Sequence, residues 1–137
     1  IGTFQEIFAT PSKFIVDFAR LENVFSGISK VSGEGTSLVD VGDGVRIEAA
    51  FEKAGNTTVF VRPEDIILSS IPIVSSARNS FEGRIVEISD LGAIVRLKVK
   101  AGKDFTVQIT KRSFSEMQLT LDSNVFLAFK ASAVQVV

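Results

Sequence analysis

The chain contains no cysteine and no histidine. Disulfides, thiolate nucleophiles, Cys/His zinc sites and imidazole acid–base catalysis are therefore excluded from these 137 residues. Tryptophan and tyrosine are also missing, so all 12 aromatic side chains are Phe. No apolar run approaches the roughly 18 residues that would span a bilayer, and nothing at the start reads as a signal peptide. A cytosolic setting is the simplest expectation. Neither sign of charge is in excess: 15 basic residues face 16 acidic ones, for a net charge of −1. That balance argues against general nucleic-acid binding, which needs a basic surface.

What is present is ordinary globular composition, with 45% apolar and 23% charged residues. A chain of this size suits one domain or two small packed ones. The charge is uneven. Residues 1–76 carry 6 basic and 10 acidic side chains; residues 77–137 carry 9 and 6. An anionic partner is better sought in the second half.

Thr10-Pro11-Ser12 has the grammar of a helix start, and Phe14, Ile15 and Phe18 follow at helical spacing. Ile7 and Phe8 form a shorter apolar turn before it. The chain opens at Ile1 without a start methionine, so a piece of a longer protein is expected. After Asn23 the pattern changes to short β runs. Leu38–Val41 and Val45–Ala49 flank Gly42-Asp43-Gly44 and read as a hairpin. Val59–Val61 is a strand ended by Pro63. Arg84–Ile88, Ala93–Val99, Phe105–Ile109 and Val125–Lys130 are strand-like, and Ala133–Val137 closes the set. Ser113–Met117 is a short helix candidate capped by Ser113 with Glu116 in the reciprocal position.

The halves read as divergent copies. Phe25-Ser26-Gly27 matches Phe81-Glu82-Gly83, Gly44–Ala49 matches Asp104–Ile109, and the segment from Phe60 to Ile66 matches that from Phe129 to Val134. Two copies of a roughly five-stranded unit suggest paired OB-like barrels, joined through the serine-rich stretch Ser69–Ser76 around Pro72.

No catalytic constellation emerges. There is no G-x-x-x-x-G-K-[ST] loop; Gly102-Lys103 is followed by Asp104. Glu64 and Asp65 are neighbours that read as structural or solvated. Phe14, Phe18, Phe51 and Phe105 sit at apolar positions and read as core rather than as stacking platforms for bases. Two segments do stand out. Ser75-Ser76-Ala77-Arg78-Asn79 and Lys130-Ala131-Ser132-Ala133 each combine a cation with hydroxyls and small residues. Small side chains let backbone N–H groups approach an anion, and Lys or Arg adds charge-assisted bonds. Such a set suits a tetrahedral dianion; turn residues beside surface charges are the plain alternative.

At these residues the sequence resembles a known family. Gly2–Phe8 with Pro11, Phe14, Val16, Phe18, Glu22 and Asn23 is similar to the tail of an ABC-transporter ATPase domain. Val61-Arg62-Pro63-Glu64-Asp65-Ile66 is similar to the segment that closes the first half of the regulatory (TOBE) region of such ATPases. Ser76-Ala77-Arg78-Asn79, Phe81, Gly83, Ile109-Thr110 and Phe129–Val134 resemble a Mop-type molybdate-binding domain.

The resemblance implies a mostly β fold of two tandem OB-like barrels preceded by short N-terminal helices. It implies an ATPase-domain tail over 1–22, a first regulatory subdomain over 23–74 and a Mop-type subdomain over 75–137. The expected role is the cytoplasmic regulatory region of the ATP-binding subunit of a molybdate/tungstate importer. Such a region is not itself an enzyme and needs no cofactor; its ligand is molybdate or tungstate. The implied partners are a second copy in a homodimer, the ATPase domain of the parent chain and the transporter's membrane subunits, with no nucleic acid. The parent would lie at the inner face of the membrane. Ser76, Ala77, Arg78 and Asn79 are expected on one side of the oxyanion, and Lys130, Ala131 and Ser132 on the other, contributed by the partner chain. Lys130 supplies charge, Ser76 and Ser132 hydroxyls, and Ala131 a backbone N–H; Arg78 either bonds the anion or braces the loop. Binding is expected only in the second repeat, because the first holds Arg62-Pro63-Glu64-Asp65 where the second holds Lys130-Ala131-Ser132-Ala133. A dimerisation module without ligand binding is the alternative, and an OB-type nucleic-acid binder the weaker one.

Overall fold

The computed structural model describes residues 21–137. The helices expected over the first twenty residues lie outside the described residues, as do Phe14 and Phe18. Ten strands run through the rest: β1 (Val24–Gly33), β2 (Thr36–Gly42), β3 (Val45–Ala49), β4 (Gly55–Phe60), β5 (Ile67–Ser69), β6 (Asn79–Asp90), β7 (Ile94–Ala101), β8 (Lys103–Thr110), β9 (Asn124–Phe129) and β10 (Gln135–Val136). Among the described residues there is one short α-helix, α1 (Lys111–Glu116). No helix among them is long and apolar enough to cross a membrane.

The strands form two antiparallel five-stranded sheets, in the orders β10-β4-β1-β2-β3 and β5-β9-β6-β7-β8. Each sheet is built mainly from one half of the chain and borrows its edge strand from the other. Gln135 and Val136 pair with Phe60 and Val59, while Ile67–Ser69 pair with Phe126–Ala128. The exchange is reciprocal, so the halves are interlocked. Their cores also merge: Phe25 packs tilted against Phe105 at 5.1 Å between ring centroids, and Phe105 meets Phe81 and Phe129. Phe105 is fully buried and Phe51 half-buried against that core.

Local signals account for most elements. The Gly42-Asp43-Gly44 turn adopts positive φ at all three residues, and Asp40 Oδ1 accepts the Gly42 N–H at 3.0 Å. In α1 the cap lies three residues earlier than the sequence suggests. Thr110, not Ser113, is the capping residue, and its Oγ1 accepts the Ser113 N–H at 3.1 Å.

The repeat is real, but its register differs from the sequence match in one strand. Gly27 and Gly83 occupy equivalent places, so Ser29 corresponds to Ile85 and their partners Val39 and Val99 correspond in turn. Ile47 faces Val39, and Phe105 faces Val99. Ile47 therefore matches Phe105, two residues away from the match of Val45 with Phe105. A shift of two preserves every inward and outward position of a strand, so hydrophobic alternation does not detect it.

Ser29 sits where its counterpart is an isoleucine. It is 1% exposed, and its hydroxyl has no hydrogen-bond partner. A buried unpaired hydroxyl costs about 1–3 kcal/mol. Ser29→Ala is therefore expected to raise stability by about 1 kcal/mol, read as a higher urea midpoint at unchanged slope.

Candidate functional site

Both segments picked out by the sequence come together within one chain. Asn79 opens β6 and pairs with Phe129, the last residue of β9. The chain before Asn79 and the chain after Phe129 thus leave the same end of one ladder, side by side. Arg78 and Lys130 flank that rung. Lys130 then caps a 3-10 turn over Ala131–Ala133, closed by hydrogen bonds from Ala133 N–H to the Lys130 carbonyl and from Val134 N–H to the Ala131 carbonyl.

The end of β3, from the other half, braces both segments. The Asn79 side chain is buried and clips the backbone of Glu48. Its Oδ1 accepts the Glu48 N–H at 2.8 Å and its Nδ2 donates to the Glu48 carbonyl at 2.9 Å. Two residues on, the Ala50 N–H donates to the Ala131 carbonyl at 3.1 Å. Residues 48–50 therefore hold the entry to β6 and the turn after β9 in fixed relation.

The exposed groups are those suited to a ligand. Ser76, Arg78, Lys130 and Ser132 are exposed, Ala77 is half-buried, and Ala131 is buried. The Ser75 hydroxyl accepts the Ala77 N–H at 3.1 Å and shapes the loop. Lys130 forms no salt bridge among the described residues. Arg78 Nε lies 3.8 Å from Glu48 Oε1. A cleft of about 460 Å³ opens beside this pair, lined by Ser32, Gly33, Glu34, Thr36, Glu48 and Arg78.

The same construction recurs in the first half with different chemistry. Asn23 Oδ1 accepts the Thr106 N–H at 2.7 Å, and its Nδ2 donates to the carbonyls of Thr106 and Val61. Arg62 caps the equivalent 3-10 turn, Pro63–Asp65, in the same backbone conformation as Lys130. Here, however, Arg62 Nε is tied to Asp65 at 3.3 Å. Glu22 stands where Arg78 stands in the second half and pairs with Arg96. The polarity of the pair across the two halves is thus reversed. The cleft at this turn, about 240 Å³, is lined by Glu22, Glu64, Arg62, Pro63 and Arg96 among others.

The paired Asn clips, Glu48 and Ala50 are what sequence reasoning missed. A signal for the clips exists: extending the repeat match two residues back gives Asn23-Val24-Phe25-Ser26-Gly27 and Asn79-Ser80-Phe81-Glu82-Gly83. Glu48 and Ala50 act through backbone groups, which leave no mark in a sequence. Replacing Asn79 by Ala strands the N–H and carbonyl of Glu48, and a loss of about 2 kcal/mol is expected in chemical denaturation. Asn79→Asp should lose nearly as much, because an ionised carboxylate accepts from the N–H but cannot donate to the carbonyl.

Among the described residues one carboxyl is clearly perturbed, and it lies at the far end of β6. The hydrogen bond from Lys111, then that from the Gly92 N–H, hold Asp90 below the usual carboxylate range.

Fold and site together define a tandem OB-type β module in which a loop and a turn meet at the junction of its halves. Residues 75–136 of the chain match the TOBE domain. The whole chain is similar to the C-terminal part of the molybdate/tungstate import ATP-binding protein WtpC. It is 34% identical to the Pyrococcus abyssi protein over 139 residues, covering 99% of this chain, and 34% identical to the Pyrococcus horikoshii protein over 138 residues. The chain spans 38% of the length of each of those relatives. Its fold matches that of the cytoplasmic molybdate-binding protein ModG in a molybdate-bound form, with a TM-score of 0.74 and 22% identity over 85% of this chain and 96% of that one.

Proposed function

We propose that this chain is the regulatory region of an importer ATPase subunit and that it binds molybdate or tungstate at the junction described above. Residues 1–22 are the tail of the ATPase domain, 23–74 a first regulatory subdomain and 75–137 the oxyanion-binding one. The observation that carries the reading is the meeting of Ser76–Asn79 with Lys130–Ser132 in one chain, both braced by residues 48–50. Lys130 and Arg78 supply charge, Ser76 and Ser132 hydroxyl donors, and Ala131 a backbone N–H at the opening of its turn. Asn79 positions the loop through its clip on Glu48. Ala77 gives the small side chain that lets the loop backbone close in.

A fully charged dianion loses its hydration only where several donors and countercharge replace water. One chain offers an open half of such a shell. A second copy in a homodimer closes it, so the oxyanion and the dimer arrangement stabilise each other. In the cytoplasm, at the inner face of the membrane, an occupied site holds the ATPase domains in an inactive arrangement when oxyanion is plentiful. The region itself is not catalytic and needs no cofactor. Selection against sulfate rests on size, since Mo–O and W–O bonds are longer than S–O bonds.

Isothermal titration of the dimer with tungstate, with sulfate as control, tests the reading. Tight tungstate binding with little response to sulfate is expected. No tungstate heat in a sample shown to be dimeric overturns it and leaves a dimerisation module.

A further inference from the structure

We infer that Glu48 limits oxyanion affinity at this site and holds Arg78 while the site is empty. The inference rests on the oxyanion reading above and deepens it. Among the described residues, Glu48 is the one acid whose carboxylate reaches a cation of the proposed site, 3.8 Å from Arg78 Nε. Its side chain is 24% exposed, so it is partly enclosed against the loop rather than waving in solvent.

Three observations say that this carboxylate is not there for the fold. The Asn79 clip uses only the backbone N–H and carbonyl of Glu48. In the first half the same clip falls on Thr106, so a neutral side chain serves the architecture equally well. The ion pair is itself a poor stabiliser, because the Arg78 side chain is 68% exposed and such pairs contribute little. What the carboxylate does affect is an anion. Arg78 can face Glu48 or the ligand, and an incoming dianion must displace the first contact. A negative charge that remains nearby repels a dianion twice as strongly as a monoanion. Glu34, on the rim of the same cleft, has the same sign but no ion pair with Arg78. The consequence is a raised threshold: the site fills only when oxyanion is abundant.

The test is tungstate titration of the intact chain as wild type, Glu48→Gln and Glu48→Thr, with Glu64→Gln as a control for net charge in the first-half turn. Both Glu48 variants are expected to bind about tenfold more tightly, with melting temperatures near wild type. Glu64→Gln should match wild type. In an Arg78→Ala background the gain from Glu48→Gln should shrink to a few-fold, because the contact to be displaced is gone. Wild-type binding with no gain in either Glu48 variant overturns this inference and leaves the oxyanion reading standing. A full tenfold gain in the Arg78→Ala background overturns the holding of Arg78. Absence of binding in every protein overturns the oxyanion reading, and this inference with it.

Discussion

Lys130→Ala is expected to weaken tungstate binding by at least about a hundredfold while leaving the melting temperature of the unliganded protein unchanged. Truncating one partner of a desolvated, hydrogen-bonded charge pair costs roughly 2–5 kcal/mol, and each 1.4 kcal/mol is a factor of ten. The fold does not depend on this side chain. Lys130 is exposed, forms no salt bridge among the described residues, and contributes to its turn only through its carbonyl. Ser76→Ala removes one neutral donor and should cost about tenfold. Titration calorimetry gives the affinities, and thermal unfolding without ligand checks that the fold is intact. Wild-type affinity in Lys130→Ala would place the anion elsewhere.

Among the described glycines, Gly27→Ala should produce the largest loss of stability. A Cβ at Gly27 falls 2.0 Å from the Asp40 carbonyl oxygen and 2.9 Å from the Val41 Cα, both backbone atoms of the paired strand. The neighbour has no rotamer to change, so β1 and β2 must separate. Overpacking usually costs about 1–3 kcal/mol, and here the rigid backbone puts the cost at about 3 kcal/mol or more. Gly83→Ala meets the Lys100 carbonyl oxygen at 2.5 Å and Ala101 Cβ at 2.8 Å and should rank second. Urea denaturation measures both. A Gly27→Ala protein within about 1 kcal/mol of wild type would mean that the strand crossing is looser than this geometry.

These glycines also show how far the sequence could be read. The F-x-G match located equivalent positions in both halves. It could not reveal that glycine is required there because two backbones nearly touch. The Gly42-Asp43-Gly44 hairpin was legible because its turn residues and flanking alternation are local. The α1 cap was misplaced because Thr110 and Ser113 are both hydroxyl residues before acceptable first turns; only the position of the strand end, fixed by β7–β8 pairing from Ile94↔Thr110, selects Thr110. The register of β3 against β8 was misread by two residues for the reason alternation cannot distinguish even shifts.

For the candidate site, residue types were readable but their assembly was not. Small residues, hydroxyls and cations at 76–79 and 130–132 marked both segments as suited to an anion. That they meet in one chain follows from the Asn79↔Phe129 rung, a pairing about fifty residues apart in sequence. The Glu48 carboxylate beside Arg78 carried no sequence signal at all, since it arrives from the other half.

The β class, the internal repeat, the turn positions and the chemical character of the two anion-suited segments can all be read along the chain. Each of these depends on residues close together along the chain. The reciprocal exchange of β5 and β10, the Asn23 and Asn79 clips, and the bracing of both segments by residues 48–50 emerge only once the strands are packed. These features are made by backbone N–H and carbonyl groups that every residue carries, so their partners are chosen by the packing of strands in space rather than by the identity of side chains.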